Sequence, residues 1–112
     1  MKAPLLNRKL VLEHAVQTPD GSGGFGENWV ALGTLWAEIT AGSGSEKAGE
    51  FITVSSVPYR ITVRGAPVGA ESRPKPDQRF RDGSRLFLIK AVTERDPQAH
   101  YLTCFAIEEE AS

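Results

Sequence analysis

The stretch "RKLVLEHAVQTPDGSGGFGENWVALGTLWAEIT" (residues 8–40) decides the fold, because a glycine-rich turn separates two segments of alternating polarity. Its first ten residues repeat apolar and polar side chains with a period of two, which predicts a strand buried on one face. Leu10, Leu12 and Val16 fall on the apolar face, and Lys9, Glu13 and Gln17 are among the residues on the other.

The glycines of the turn also match a nucleotide-binding spacing. Gly21, Gly23 and Gly26 stand as G-x-G-x-x-G, the fingerprint of a dinucleotide loop. Such a loop holds pyrophosphate because its glycines lead into the N-terminus of a helix in a βαβ unit. Here the glycines lead into a second alternating segment, so a hairpin loop with residues at positive φ is the better interpretation. We expect no nucleotide at this turn.

The second segment has Leu35, Ala37 and Ile39 on one face, and Gly33 predicts a bulge or bend within it. Four later stretches also have strand character, and "RDPQA" (95–99) predicts a turn between the last two. They are "EFITVSS" (50–56), "YRITVRG" (59–65), "SRLFLIKAVTE" (84–94) and "HYLTCFAIEE" (100–109). Short strands spaced by Gly and Pro predict an all-β fold, a small antiparallel barrel or sandwich with long loops. At most one short helix fits, near residues 45–51 or in the proline-rich stretch before Phe80.

Length and composition limit the possible functions. The 112 residues are 40% hydrophobic and 24% charged, which predicts one folded domain over residues 1–112. One cysteine, Cys104, and two histidines, His14 and His100, supply no metal-ligand spacing, and we expect neither a metal nor a cofactor. His100 and Cys104 would lie about 13 Å apart on one strand, too far for proton transfer, so we expect no enzyme. No leader or membrane span is expected, and synthesis in the cytosol follows.

Charge is unevenly distributed along the chain. Residues 60–85 carry seven basic against three acidic residues, whereas Glu108, Glu109 and Glu110 crowd the C-terminus. This asymmetry suits docking between charged faces, although a solvated surface explains it equally well. The basic residues that we single out are Arg73, Lys75, Arg79, Arg81 and Arg85.

Two tryptophans leave a second function open. Trp29 and Trp36, combined with the basic stretch, would suit a barrel of the OB type that binds single-stranded nucleic acid. Tryptophan in a small β domain more often belongs to a core or an interface. Two segments with little regular structure, residues 41–50 and 65–78, are long enough to be functional loops or flexible linkers.

The order of these elements resembles the head-tail joining proteins of tailed phages, also called head-completion or stopper proteins, over nearly the whole chain. The compact length is also similar to the version found in gene transfer agents, the phage-like particles encoded in bacterial genomes. The elements that carry the resemblance are Arg8, the Asp20-Gly21 and Gly24 loop, Trp29, Trp36-Ala37, Arg60 before an alternating strand, and Gly83-x-Arg85 followed by Phe87, Ile89 and Val92.

The resemblance implies a β-barrel that forms a homo-oligomeric ring in the neck of the particle. The ring would lie between the portal and adaptor proteins and the tail terminator or tail tube, retain packaged double-stranded DNA without reading its sequence, and provide the surface on which the tail docks. Assembly would follow synthesis in the bacterial cytoplasm, and no membrane is involved.

Site residues are implied by position rather than by identity. In the family, a loop after the second strand region closes the channel, and here its location predicts Ala41, Gly42, Ser43, Gly44, Ser45, Glu46 and Lys47. The basic residues would contact ring neighbours through the acidic C-terminus, or face the DNA. Gly21, Gly24, Trp29 and Trp36 are predicted to be structural.

Overall fold

A computed structural model of the chain describes residues 3–42 and 57–109, which form six β-strands. Alternating side chains produce the long strands, and glycine or proline stands in or near most of the turns between them. The strands are β1 (Arg8–Pro19), β2 (Phe25–Ala41), β3 (Val57–Arg64), β4 (Arg79–Asp82), β5 (Arg85–Glu94) and β6 (Tyr101–Glu109).

The six strands close into an antiparallel barrel with the order β1-β2-β3-β6-β5-β4. Its closing seam, between β1 and β4, is short: Val11, Leu12 and Glu13 pair with Arg81, Phe80 and Arg79. Two bulges adjust the register. Leu32 is the extra residue of β2 beside Gly33, which confirms the predicted bulge, and Lys90 is the extra residue of β5.

The core fills the barrel interior with the inward side chains of all six strands. Each strand contributes alternate residues, as the pleat requires. The largest fully buried aromatic side chains are Phe80 and Phe87, and Cys104 is buried among the aliphatic residues. The buried set is Leu10, Leu12, Ala37, Ile61, Val63, Phe80, Phe87, Ile89, Leu102, Cys104 and Ala106.

The register gives the barrel two different ends. One end, called the loop end, contains Arg8 of β1, Ala41 of β2, Val57 of β3, the β4–β5 turn and Glu109 of β6. Beyond the other, the β1–β2 hairpin continues as a two-stranded arm, defined as residues 14–30, which pairs with no third described strand. The arm therefore has two free strand edges.

Most sequence predictions of the fold are confirmed, and three need correction or restriction. No helix occurs in the described residues, and the proline-rich stretch before Phe80 is an irregular loop that ends in β4, a strand that the sequence pattern did not predict. Glu13 lies on the face opposite Leu10 and Leu12, as predicted, but Arg79 and Arg81 cover it there and leave it 5% exposed. The strand predicted at residues 50–56 and the alternative helix site at 45–51 lie outside the described residues.

The turn between β1 and β2 is a hairpin loop with residues at positive φ, as the sequence predicted. Gly21 and Gly23 have φ of 83° and 86°, in the left-handed region that favours glycine. The Asp20 carboxylate accepts hydrogen bonds from the backbone N–H groups of Ser22 and Gly24 at 2.8 and 3.1 Å. An aspartate that bonds to its own turn in this way stabilises the loop locally.

We predict that Gly65→Ala destabilises the barrel by about 1–3 kcal/mol, the range for overpacking. A Cβ at Gly65 would collide with the Ala99 carbonyl oxygen and lie 3.1 Å from the His100 carbonyl group. The backbone N–H of Gly65 donates to the same His100 oxygen at 2.7 Å, so the chain cannot withdraw without losing that bond. Urea unfolding measures the effect. Gly26→Ala, where a Cβ meets no atom within 4 Å, is the matched control; equal stabilities would contradict the prediction.

Candidate assembly interface

Two of the predicted basic residues, Arg79 and Arg81, hold the buried Glu13 carboxylate at the barrel seam. The Arg79 Nε donates to Glu13 Oε1 at 2.7 Å, and the Arg81 Nε donates to Oε2 at 2.8 Å. Burial of the carboxylate raises the pKa of Glu13, but the hydrogen bonds from Arg81 and Arg79 outweigh it, and the net pKa lies below the ordinary 4.5. Glu13 is therefore charged at neutral pH and paired on both oxygens.

Arg85 forms a second cluster at the loop end. Its guanidinium donates to both Glu108 oxygens, from Nε at 2.8 Å and Nη2 at 3.1 Å, and lies 5.0 Å from the Phe87 ring centroid. The Arg85 hydrogen bonds hold the pKa of Glu108 below its usual value. Tyr59 packs edge-on against Phe87, with ring centroids 5.3 Å apart. Arg85 and the acidic C-terminal strand thus meet within one chain.

Arg73 and Lys75 lie in the loop between β3 and β4. The Arg73 Nη1 donates to the Ala66 carbonyl at 3.0 Å, and the backbone N–H of Lys75 donates to the Gln78 side chain at 2.9 Å. Pro74 between them is fully buried. Of the five predicted basic residues, Arg79, Arg81 and Arg85 have carboxylate partners in their own chain, and contact with ring neighbours or DNA stays a prediction for all five.

The predicted channel loop is described only at its start. Ala41 pairs with Tyr59 in the β2–β3 ladder, and the backbone N–H of Gly42 donates to the Pro58 carbonyl at 2.9 Å. These contacts join the first two predicted channel residues to β3. The other predicted channel residues, Ser43, Gly44, Ser45, Glu46 and Lys47, lie outside the described residues.

The four residues predicted to be structural have different environments. Gly21 and Gly24 shape the hairpin loop, and a Cβ on Gly24 would lie 3.0 Å from the Asp20 carboxylate. Trp29 supports the Glu13 cluster, because the Arg79 guanidinium stacks 4.1 Å from its ring centroid. Trp36 is 55% exposed and lies outside the core.

Trp36 borders a cleft on the outside of the barrel. The cleft has a volume of about 550 Å³ and is lined by Leu6, Thr34, Leu35, Trp36 and Arg64. It opens where β3 ends at Arg64 while β2 runs on without a described partner on that side. Lys9 pairs directly with Trp36 across the β1–β2 ladder, so both side chains are on one face. Sequence reasoning missed this site because its residues are far apart in the chain.

The described residues offer little support for a reactive cysteine or a metal site. Burial raises the pKa of the Cys104 thiol to about 12, which leaves it in the unreactive thiol form. His100 lies in the turn before β6, and its Nδ1 is 3.2 Å from Asp96 Oδ2. No group of three or more metal-ligating side chains occurs in the described residues. Within the same ranges no helix is long and apolar enough to cross a membrane.

Comparison with known proteins decides the family. The model of the phage head completion proteins matches residues 1–110. This chain belongs to the phage head completion protein family. Membership confirms the predicted resemblance and identifies the chain as a structural virion component. No curated protein sequence matches it.

Two solved structures resemble this head completion protein. A chain in the virion of a native gene transfer agent particle is 61% identical, with a TM-score of 0.80, over 98% of this chain and 100% of that one. A Shigella flexneri 2a protein with a known solution structure is 20% identical, with a TM-score of 0.69 over the full length of both chains. The second likeness concerns the fold alone.

We predict that Glu13→Gln destabilises this head completion protein by roughly 3 kcal/mol at pH 7, the lower end for removing one partner of a buried ion pair. Both arginines would keep their charge but lose the carboxylate. Because the folded-state pKa of Glu13 lies below 4.5, its stabilisation is present above that value and disappears as the pH falls through the lowered pKa.

Urea unfolding at a series of pH values measures this effect. The gap between wild type and Glu13→Gln should be constant near neutral pH and shrink below pH 4.5. Glu27→Gln, an exposed carboxylate on β2, is the matched control and should change little. A gap that persists unchanged under acid conditions would contradict the assignment.

Proposed function

We propose that this chain forms a ring in the neck of a phage-like particle, of the gene transfer agent type, between the portal and adaptor proteins and the tail. The observation that carries the proposal is the family match over residues 1–110, together with the 61% identical chain in a gene transfer agent virion. The chain acts by contact and by occupying space, not by catalysis. The inert Cys104 thiol is consistent with that role.

The segment that follows β2 closes the DNA channel in this proposal. It contains the predicted residues 41–47, and the small side chains of residues 41–45 let copies of the segment approach one another around an axis. Further support comes from its anchor, because Ala41 and Gly42 are hydrogen-bonded to β3 at the loop end. Opening then requires two arrangements of the ring that are close in free energy.

Contacts with tail proteins and with the DNA complete the proposal. The ring presents a docking surface for the tail terminator or tail tube, and packaged double-stranded DNA passes through it without sequence readout. Arg73, Lys75 and Arg81 are candidates for contact with DNA or with neighbours, since Arg81 keeps 40% of its side chain exposed while it pairs with Glu13. Arg85 has the same side-chain exposure, 40%, in its pair with Glu108 and is a candidate for the same contacts, whereas Arg79 is only 16% exposed in its pair with Glu13.

Nucleic-acid binding of the OB type is less well supported. An OB-fold is a five-stranded barrel, whereas the described residues form six strands in the order given above. Trp29 is stacked under Arg79 rather than open to a base. Only Trp36 is exposed enough to stack on a nucleobase.

Removal of the gene from a particle-producing strain tests the proposed function. We expect filled heads without tails that lose their DNA, because nothing closes the channel or receives the tail. Electron microscopy counts tailed particles, and a nuclease-protection assay measures retained DNA. Normal numbers of tailed, DNA-filled particles would overturn the neck role.

Complementation tests the channel segment separately. A variant that lacks residues 43–50 keeps the Gly42 hydrogen bond to Pro58, so the barrel should fold and tails should attach. We expect DNA loss to persist in these particles. As a matched control, replacement of residues 66–72 by a glycine-serine linker changes an irregular loop at the opposite end and should leave DNA retention unchanged. Full DNA retention without residues 43–50 would assign closure to another part of the chain.

A further inference from the structure

The arm is acidic and partly apolar, and it has no positive charge of its own. Residues 10–46 contain no lysine or arginine, and Asp20 and Glu27 lie on or beside the outer half of the arm. At the tip, Phe25 is 68% exposed. A two-stranded hairpin with free edges is marginally stable by itself in water, which favours a binding partner for it.

The cleft beside Trp36 has the opposite character. Its lining includes the apolar side chains of Leu6, Leu35 and Trp36, and Arg64 supplies a positive charge. Lys9, on the same face as Trp36, adds a second positive charge. Both cations are exposed, and neither forms an ion pair with another described residue. The nearest carboxylate along β2, Glu38, accepts the backbone N–H of Leu5 at 2.9 Å.

The arm of one chain cannot fill its own cleft. Phe25 and Thr34 lie on the same strand, nine residues apart, which corresponds to roughly 30 Å of extended backbone. A contact between arm and cleft must therefore join two copies. When each copy gives its arm to one neighbour and receives the arm of another, the contact is heterologous, and contacts of this type close into rings when the rotation permits.

We propose that the arm tip of each copy docks in the Trp36 cleft of its ring neighbour. Phe25 enters the apolar cleft, and Asp20 and Glu27 face Lys9 and Arg64 at the rim. The volume of about 550 Å³ is ample for a phenylalanine side chain. This inference rests on the proposed ring and adds to it the pair of surfaces that hold neighbours together.

Cysteine cross-linking in purified particles tests the contact. Cys104 is the single cysteine of this chain and is fully buried, so within the chain a maleimide reacts with the introduced thiols. The double variant Ser22→Cys/Thr34→Cys, which keeps Phe25 and places one thiol in the exposed tip loop, should give a ladder of covalent oligomers on a denaturing gel after treatment with a short bismaleimide. The matched control Ser22→Cys/Thr93→Cys, with an exposed threonine on β5, should give none. A missing ladder, or equal ladders in both variants, would overturn the proposal.

A second variant avoids new cysteines. Phe25→Ser should reduce the yield of tailed particles several-fold, because it removes the apolar group that enters the cleft. Val68→Ser, at a residue that is 85% exposed in the β3–β4 loop, is the control and should have no effect. Circular dichroism melts of both proteins verify folding. Wild-type yields with Phe25→Ser would overturn this contact and leave the neck role intact, since gene removal tests that role independently.

Discussion

The ion-paired Glu13 carboxylate is the constraint on which the barrel depends. Closure between β1 and β4 uses three residue pairs, the fewest of the six seams, and Glu13 belongs to one of them. Its bonds to Arg79 and Arg81 tie β4 to β1 at the point where the hairpin leaves the barrel. A buried charge is tolerated there because both oxygens are hydrogen-bonded to cations. The same cluster positions Trp29 at the base of the arm.

Much of the fold was predictable because alternation over eight or more residues is a strong signal. β1, β3 and the second half of β2 alternate in this way, whereas β5 and β6 are apolar runs rich in β-forming residues between turn signals. The alternating segment after the glycine turn favoured a hairpin over a nucleotide loop. β4 was missed because four residues are too few to establish a period. The burial of Glu13 was not predictable, because residue polarity does not reveal that two arginines, more than sixty positions later, will cover it.

The candidate sites were less predictable than the fold. Family resemblance supplied the channel segment by location, and most of it lies outside the described residues. The basic residues were recognised as a group, but the register divides them between ion pairs that link neighbouring strands and the β3–β4 loop. The Trp36 cleft combines residues from the N-terminal segment, β2 and the end of β3. No local pattern links them, and only the barrel brings them together.

The absence of positive charge between Lys9 and Lys47 has a practical consequence for experiments on the assembled particle. Trypsin cleaves after lysine and arginine, so residues 10–47, which include the whole arm, remain in one long peptide whatever their accessibility. Amine-directed cross-linkers and labels likewise find no side chain to modify on the arm. Mapping by trypsin or by lysine-directed reagents would therefore report on the barrel and its loops but give no information about the arm. Carboxyl-directed reagents, in contrast, have target side chains there in Asp20 and Glu27.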